Sequence, residues 1–375
     1  MKKLKIHQLG KIISGGTPST TNENYWDGEV IWITPKDLSK NKSRYIYNGE
    51  RNITQAGLEH SSAKLLPANS VLLSSRAPIG YLAIAGCELT TNQGFKSVIC
   101  DESIVLPEYL YYSLSTKIDD LISISSGSTF LELSKSSFEN FELNIHSIQE
   151  QQHIVNIIGS IDDLIESNTV ALNNIESLIN NIFNAHYILW KEKRELGKVF
   201  TCILGGTPST KNVEYWNGDI PWINSGEVNN LRISAPTKYI TKLGLEKSAT
   251  KLLPTGTTVI AITGATLGQV SLLEIDSCAN QSVIGILENK EYKRDYIYPL
   301  MNKIIKELML NQTGGAQQHI NKNDVQSFII NIPNIQQYEE YTKIVLPLLN
   351  HQSMIVKQNN KLTNLKQKYL NKFFG

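Results

Sequence analysis

The chain of 375 residues is long enough for two or more domains, each burying its own hydrophobic core. Its hydrophobic content of 41% and charged content of 19% are ordinary for a globular protein, and a formal net charge of +1 argues against a globally basic nucleic-acid binder. The four cysteines are scattered, and no run of roughly 18 apolar residues is present. We therefore expect no zinc site, no disulfide framework, no membrane partner and a cytoplasmic location.

One long internal repeat organises the whole chain. The hexapeptide GGTPST occurs at 15–20 and again, letter for letter, at 205–210. Further related segments follow in the same order: 23–33 with 213–223, 63–67 with 250–254, 92–94 with 280–282, and 126–145 with 313–332. The offset between the copies stays at 187–190 residues. Two copies of this length indicate duplicated domains rather than a solenoid.

The first conserved elements of each copy are predicted to be structural. Asp-Gly and Asn-Gly follow Tyr-Trp and precede an apolar strand, and these dipeptides supply the positive φ angles of tight turns. The tryptophans beside them are predicted to anchor the core rather than to stack on bases: Trp26, Trp32, Trp216 and Trp222. The paired glycines at 15–16 and 205–206 are predicted to form a turn, because no Lys-Ser/Thr follows as in a phosphate-binding loop.

The segments after these strands differ between the copies and are locally basic. Residues 34–64 carry six cations against three acids, and residues 224–251 carry five against two, so each nets +3. Basic and amide side chains are what phosphate contact and base reading require. The candidate DNA contacts are Lys36, Lys42, Arg44, Arg51, Arg76, Asn92, Gln93, Arg232, Lys238, Lys242, Asn280, Gln281, Gln317, Gln318 and His319. The alternatives are solvated loops and, for the last three, capping of the next helical segment.

Each copy ends in a stretch with a seven-residue apolar repeat, which predicts coiled-coil helices. One seam position is occupied by Ile154, Ile161, Asn168, Ile175 and Ile182 in the first stretch, and by Tyr341, Leu348, Ile355, Leu362 and Tyr369 in the second. The other seam position is predicted at Ile157, Leu164, Ala171 and Leu178, with Ile344 and Leu365 in the second stretch. The polar Asn168 is expected to fix the register. Pro347 predicts a kink or a late helix start.

Charge favours pairing of the two stretches with each other. Residues 147–182 contain five acids and no Lys or Arg, whereas residues 334–372 contain six lysines and two acids. One helix thus carries −5 and the other +4, which opposes self-pairing. The alternative is two ordinary amphipathic helices, each lying on its own domain.

The sequence lacks the common motifs of nucleotide-driven motors, adenine methyltransferases and cofactor-binding enzymes. The sequence contains no Gly-x-x-x-x-Gly-Lys-Ser/Thr, no Asn/Asp-Pro-Pro-Tyr/Phe tetrapeptide and no Gly-x-Gly-x-x-Gly loop, and its seven histidines form no metal-ligand pattern. Asp276, Glu288 and Lys290 roughly follow the spacing of a metal-dependent nuclease. The first copy has no counterpart to this triplet. An autonomous endonuclease is therefore kept as the alternative function.

The combination of motifs resembles the specificity subunits of type I restriction–modification enzymes. It consists of GGTPST, Tyr-Trp-Asp-Gly, Ile-Trp-Ile, the Asn-Gln pair, a Gly-rich loop and Ile-Gln-Glu-Gln-Gln-His-Ile before a long helix. The second copy departs slightly, with Tyr338-Glu339 in place of Gln-Gln. The resemblance covers essentially the whole chain. It implies two target-recognition domains, each reading one half of a split double-stranded DNA site.

The resemblance also implies the role of the helices and of the partners. The helices would pair antiparallel, serve as spacer and, through the seam residues, dock two modification (methyltransferase) subunits, which restriction–translocase subunits join. This chain would hold no cofactor itself, because S-adenosylmethionine, ATP and Mg would be used by the other subunits. A scaffold that reads no DNA is the remaining hypothesis.

We therefore predict an α/β (α+β) fold with an internal pseudo-two-fold repeat. The predicted parts are a recognition domain at 1–146, a helical spacer at 147–189, a second recognition domain at 190–333 and a second helical spacer at 334–375.

Overall fold

The computed structural model describes residues 1–127, 131–310 and 319–375. It confirms a mixed α/β chain built from two copies of one unit, each followed by a long helix. The chain divides into two compact units, and both long helices contribute residues to both. Unit 1 comprises Met1–Ser167 and Lys361–Gly375, and unit 2 comprises Asn168–Asn360. The domain boundaries predicted from the sequence stay predictions.

The first copy contains ten strands and six helices among its described residues. The strands are β1 (Lys2–Lys5), β2 (Gly10–Ser14), β3 (Trp26–Ile33), β4 (Tyr45–Ile46), β5 (Arg51–Ile53), β6 (Val71–Ser75), β7 (Ile79–Ala85), β8 (Thr90–Thr91), β9 (Lys96–Cys100) and β10 (Glu142–Ile145). The helices are α1 (Pro35–Lys40), α2 (Gln55–Glu59), α3 (Pro107–Ser115), α4 (Ile118–Ser123), α5 (Lys135–Glu139) and α6 (Ile148–Tyr187).

The second copy repeats these strands in the same order. They are β11 (Glu192–Glu195), β12 (Cys202–Leu204), β13 (Trp216–Ile223), β14 (Arg232–Ile233), β15 (Lys238–Ile240), β16 (Thr258–Ala261), β17 (Val270–Leu273), β18 (Cys278–Ala279), β19 (Val283–Ile286) and β20 (Ile329–Ile332). The helices are α7 (Leu196–Val199), α8 (Lys242–Glu246), α9 (Arg294–Leu310), α10 (Lys322–Ser327) and α11 (Ile335–Phe374).

The sheets of the two copies have one topology. The first copy has a five-stranded sheet in the order β2-β9-β6-β7-β4, a three-stranded sheet β5-β3-β8 and the pair β1-β10. The second copy has the corresponding sheets β12-β19-β16-β17-β14, β15-β13-β18 and β11-β20. In both, the three-stranded sheet combines one antiparallel and one parallel pairing. The sequence repeat is therefore a repeat of the fold.

The Tyr-Trp-Asp/Asn-Gly segments lie inside a strand rather than before one. Asp27 and Asn217 have φ angles of 59° and 61°, as expected for these turn residues. The register of β3 and β13 shifts directly after the tryptophan, so the segment forms a bulge. Trp26, Trp32 and Trp222 are buried and Trp216 is half-buried, which confirms their prediction as core anchors.

The two long helices begin at capping boxes that the sequence motif encodes. At the start of α6, the backbone N–H and hydroxyl of Ser147 donate to Glu150 at 3.0 and 2.9 Å. At the start of α11, the N–H of Asn334 donates to Gln337 at 3.0 Å and the N–H of Gln337 donates back to the Asn334 side chain at 2.9 Å. Each helix then continues for 40 residues. Helix α11 passes through Pro347, so the late start was wrong.

The helices pair antiparallel within each unit, as expected. In unit 1, Asp162 of α6 accepts from Lys366 of α11 at 2.7 Å. In unit 2, Asn168 donates to Asn359 at 2.7 Å, and Glu176 accepts from Gln352 at 3.0 Å. Asn168 thus makes a polar contact across the helix pair, and its role in fixing the register stays a prediction.

Only one of the two predicted seam positions is correct. Ile154, Ile161 and Ile355 are buried, whereas Leu164 and Leu178 are 40% and 47% exposed. Ile344 and Leu365 are also exposed, at 49% and 41%. The second buried position is occupied one residue later: Ile158 and Ile179 on α6, and Val345 on α11. The helix faces that bury residues therefore follow an i, i+4, i+7 pattern from Ile154.

Candidate nucleic-acid interface

A turn shared by both copies brings the GGTPST segment against the Asn-Gln pair. The N–H of Gly16 donates to the carbonyl of Thr91 at 2.9 Å, and the N–H of Gly206 donates to that of Ala279 at 2.8 Å. The hydroxyl of Thr17 donates to the side-chain carbonyl of Gln93. In the second copy the hydroxyl of Thr207 donates to Gln281 at 2.5 Å.

Tryptophan N–H groups and close packing hold this turn in place. Trp32 donates to the carbonyl of Gly16 at 2.9 Å, and Trp222 donates to that of Gly206 at 3.1 Å. A Cβ added to Gly15 would lie 2.2 Å from the carbonyl oxygens of Thr91 and Asn92. The paired glycines thus permit backbone contact, which supports their predicted structural role, although residues 15–19 form an irregular loop rather than a regular turn.

The two predicted asparagines stabilise the turn, and the glutamines beside them are exposed. The side chain of Asn92 accepts from the N–H of Gly94 at 2.8 Å, and that of Asn280 accepts from Ser282 at 3.1 Å. Gln93 and Gln281 both lie at the surface. Among these amides, the glutamines are therefore the ones placed to meet a ligand.

A cation lies over a tryptophan ring at the same place in each copy. The guanidinium of Arg51 is 4.0 Å from the ring centroid of Trp26, and the ammonium of Lys238 is 5.6 Å from that of Trp216. Arg51 and Lys238 pair across the sheet with Trp32 and Trp222, so they occupy equivalent positions. Both are exposed. Each cation is thus held by an aromatic face while its charge meets solvent.

A cluster of charged side chains lies around Arg76 in the first copy. Its guanidinium lies 3.8 Å from the carboxylate of Glu132, and both side chains are partly exposed. Lys96 lies near Glu132, Arg76 and Lys135, and burial lowers its pKa while Glu132 opposes that shift. Lys96 was not among the predicted DNA contacts, because a lysine at the start of an apolar strand belongs to no recognisable motif.

Arg44 was predicted to contact DNA, and the structure instead places it inside unit 1. Its guanidinium donates to the carbonyl of Gly159 at 3.1 Å and to the hydroxyl of Tyr112 at 3.2 Å, and it pairs with Asp163. The side chain is only 12% exposed. Arg44 therefore fastens its loop to α6 and is removed from the candidate interface.

Arg232 requires the same correction in unit 2. Its side chain is 2% exposed and pairs with Glu274 at 2.7 Å. It also donates to the carbonyl of Leu349 at 3.1 Å and to Gln352 at 2.8 Å, both on α11. Burial lowers the pKa of the Arg232 guanidinium, and the carboxylate of Glu274 opposes the shift. Arg232 thus joins its loop to the helix.

The remaining predicted lysines are at the surface. Lys36 pairs with Glu50 at 2.8 Å, and this carboxylate raises the pKa of the lysine. Lys242 is 85% exposed and lies 4.0 Å from Glu246, and Lys42 is also exposed. His319 is exposed as well. Gln317 and Gln318 lie outside the described residues.

Two residues of the nuclease-like triplet, Asp276 and Glu288, accept hydrogen bonds from neighbouring residues. Asp276 accepts from the N–H and hydroxyl of Thr255 at 2.7 and 2.8 Å, and these hydrogen bonds lower the pKa of its carboxyl. Glu288 accepts from the N–H of Arg294 at 2.9 Å, and Lys290 is exposed. Within the part of the chain that the structure describes, no group of three His, Cys, Asp or Glu side chains could hold a metal ion.

The seam residues lie inside the units rather than on a docking surface. Ile154 belongs to the core of unit 1, and Ile175, Ile182 and Leu348 pack against the core of unit 2. Ile355 is buried, whereas Leu362 and Tyr369 are half-buried. A partner protein would therefore meet the exposed faces of the helices. No helix in the described ranges combines the length and apolar character needed to cross a bilayer.

A duplicated α/β unit on paired helices, with different basic loops on one frame, is the architecture of a DNA-recognition protein. The type I restriction modification DNA specificity domain matches residues 1–177 and 188–368. The chain therefore belongs to the family of type I restriction–modification specificity subunits.

Known proteins resemble this chain along most of its length. It is 30% identical over 386 residues to the specificity subunit of the type I restriction enzyme MjaIX from Methanocaldococcus jannaschii, covering 94% of this chain and 88% of that protein. It is 25% identical over 265 residues to the EcoR124I/EcoR124II specificity subunit of Escherichia coli, covering 66% and 64%. The crystal structure of the S subunit from M. genitalium superposes with a TM-score of 0.59 at 16% identity, covering 100% and 96%, and shows the same fold.

Proposed function

We propose that this chain gives a type I restriction–modification complex its DNA sequence specificity, with each recognition domain reading one half of a bipartite, asymmetric site. One observation carries the proposal: a single frame is built twice, with equivalent turns, tryptophans and sheets, and it bears two different basic loops. A shared frame docks both domains on DNA in the same manner. Different loops then select different bases.

The positions that are alike in the two copies suit contact with phosphates. Arg51 and Lys238 present equivalent cations, and Gln93 and Gln281 present equivalent amides beside a threonine hydroxyl. Phosphate contacts fix the register of a protein on the duplex and carry no sequence information. The small net charge of the chain is compatible with this role, because the basic excess is concentrated in the loops.

The exposed faces of the two long helices are proposed to dock two modification subunits, which restriction–translocase subunits join. Leu164 of α6 and Met354 of α11 are 40% and 62% exposed. Leu178 and Leu365 add further exposed apolar surface. Large apolar side chains on a polar helix face are typical of protein contacts. S-adenosylmethionine, ATP and Mg would be used by the other subunits, and the complex would act in the cytoplasm.

An autonomous endonuclease is the second candidate function, and the structure gives it little support. Asp276 and Glu288 each accept hydrogen bonds from their own neighbourhood. A catalytic pair for metal-assisted hydrolysis would need free carboxylates converging on one ion. A scaffold without DNA reading would leave the basic excess of both variable loops unexplained.

The test compares the purified chain with and without a methyltransferase subunit of a type I system. The chain alone should neither cleave nor methylate mixed duplex DNA with any divalent metal, S-adenosylmethionine or ATP. Addition of the methyltransferase subunit should produce methylation at one bipartite sequence. Cleavage by the chain alone that Asp276→Ala or Glu288→Ala abolishes would establish the nuclease instead. Absence of both activities with a folded complex would favour the scaffold.

A further inference from the structure

The edge next to Arg76 is built by the same backbone hydrogen bonds in both copies. The N–H of Ser75 donates to the carbonyl of Gly94 at 2.7 Å, and the N–H of Ile262 donates to that of Ser282 at 2.9 Å. The carbonyl of Ser75 accepts from Leu133 at 2.9 Å. In the second copy the carbonyl of Ile262 accepts from Ile320 at 3.0 Å. These bonds make Ser75 equivalent to Ile262, and Leu133 equivalent to Ile320.

This equivalence shows which neighbouring side chains correspond to each other in the two copies. Arg76 follows Ser75 and so corresponds to Thr263, and Glu132 precedes Leu133 and so corresponds to His319. Lys96 pairs with Ser14 at the end of β2, and Ile284 pairs with Leu204 at the end of β12. One edge thus carries an arginine, a glutamate and a lysine in unit 1, and a threonine, a histidine and an isoleucine in unit 2.

This edge borders the turn that is alike in the two copies. A Cβ on Gly94 would lie 3.7 Å from Cγ of Arg76 and 3.0 Å from the side-chain oxygen of Asn92. Gln93 follows Asn92 directly and faces solvent. The side chains that differ between the copies therefore adjoin the side chains proposed to hold the phosphate backbone.

We propose that Arg76 and Glu132 read a G·C base pair in the half-site of the first recognition domain, and that Thr263 and His319 replace this contact with a different one in the second. The inference rests on the proposed function and names the residues that give the two half-sites different sequences. It assigns the first half-site a G·C pair at the position that Arg76 contacts.

The negative charge of Glu132 favours a contact of this edge with bases over a contact with phosphates. A carboxylate at the DNA surface is repelled by phosphates, whereas it accepts a hydrogen bond from the N4 amino group of cytosine. An arginine beside it donates two hydrogen bonds to O6 and N7 of guanine. Glu132 is fixed by a backbone bridge with Ser126, whose two hydrogen bonds measure 2.9 and 3.2 Å. The glutamate therefore holds the guanidinium at this edge before DNA binds.

The experiment exchanges the two residues between the copies within the full chain. Arg76→Thr with Glu132→His gives the first domain the second domain's side chains, and Thr263→Arg with His319→Glu does the reverse. Each variant is expressed with its methyltransferase subunit in a host that lacks adenine methylation of its own, and the methylated sequences are mapped across the genome. Arg194→Thr is the matched control, because Arg194 is an exposed arginine that pairs with Glu192 away from this edge.

The expected result is a change confined to one half-site. Arg76→Thr with Glu132→His should lower the preference for G·C at one position of the first half-site by on the order of 10-fold or more. The second half-site and the unread gap should be unchanged, and Arg194→Thr should leave the whole site unchanged. An unaltered first half-site in a folded, methylating variant would overturn the inference while leaving the proposed function intact. A wild-type complex that methylates no bipartite site would overturn the proposed function itself.

Discussion

Asp162 of α6 and Lys366 of α11 form an ion pair at 2.7 Å in unit 1. In unit 2, Gln352 of α11 donates to Glu176 of α6 at 3.0 Å. In both units the acid therefore lies on α6 and its polar partner on α11.

The Asp162–Lys366 pair is expected to be needed for helix pairing. Asp162 is 6% exposed and also accepts from the hydroxyl of Tyr112 at 2.8 Å. Asp162→Lys or Lys366→Asp alone would leave two like charges at a largely buried contact, which should lower the free energy of unfolding by about 3–5 kcal/mol. The double exchange should recover a large part of that loss. Denaturant unfolding of the three variants measures it.

The control for this exchange is the exposed pair of Lys3 and Glu142. Their side chains are 66% and 42% exposed, so reversing either charge should change stability by no more than about 1 kcal/mol. If the double exchange at 162 and 366 were as unstable as the single variants, the pair would not be a direct contact.

Substitution of Arg232 and of Lys238 should distinguish a cation that stabilises the fold from a cation that binds DNA. Arg232→Ala removes the buried cation from Glu274, which keeps only Lys357 at 3.8 Å and the hydroxyl of Ser353, and is expected to cost about 3 kcal/mol of stability. Lys238→Ala removes an exposed charge and should change stability by about 1 kcal/mol or less.

In DNA binding by the complex, Lys238→Ala should have the direct effect, although it changes stability the less of the two. Lys238→Ala should weaken binding equally for all sequences and reduce the slope of log affinity against log salt by about 1. Equal salt slopes for wild type and Lys238→Ala would contradict a phosphate contact at this position.

The sequence was sufficient to predict the repeat and the core tryptophans, because each is encoded by residues close together in the chain. It was insufficient for the second seam position. Ile157 and Ile158 are both apolar, as are Leu178 and Ile179, so a heptad pattern cannot decide which one faces the partner. Packing against the rest of the unit makes that choice.

The sequence also could not distinguish anchoring arginines from exposed ones. Arg44 and Arg51 lie in one basic loop, yet Arg44 is held by Gly159 and Asp163 more than 100 residues away in the chain. Such partners are visible only once the fold places the loop beside the helix. Arg232 in the second basic loop is likewise held by Leu349, which lies more than 100 residues further along the chain.

Cysteine reactivity should follow burial. Burial raises the pKa of Cys202 to about 11 and also raises that of Cys278, so both stay protonated thiols at pH 8. Cys87 is half-exposed and should be alkylated first by iodoacetamide. Mass spectrometry of peptides should find Cys87 labelled and Cys202 unlabelled in the native chain. All four should react in denaturant, and prior labelling of Cys202 in the native chain would contradict the core of unit 2.

The paired helices should set the length of the unread gap in the DNA site. Asn168 and Gln358 contact each other at 3.4 Å and stand 190 residues apart in the chain. Inserting seven residues after each adds about 10.5 Å of helix and should lengthen the gap by about three base pairs. Insertion of four residues in each helix adds about 6 Å and rotates the following faces by about 40°, which coiled coils accommodate by local unwinding, so it should lengthen the gap by about one to two base pairs and leave both half-sites intact. Methylation mapping that found an unchanged gap after the seven-residue insertions would rule out the spacer role.

Exchange of one variable loop tests the division of labour between the domains most directly. Residues 34–64 would be replaced by the corresponding loop of another specificity subunit, with Arg44 and its contacts to Gly159 and Asp163 retained so that the loop stays attached to α6. The methylated sites would then be mapped in cells that also express the methyltransferase subunit. We predict a changed first half-site with the second half-site and the gap preserved. A change in both half-sites, or in neither, would contradict the account in which each copy of the repeat reads its own half of the target.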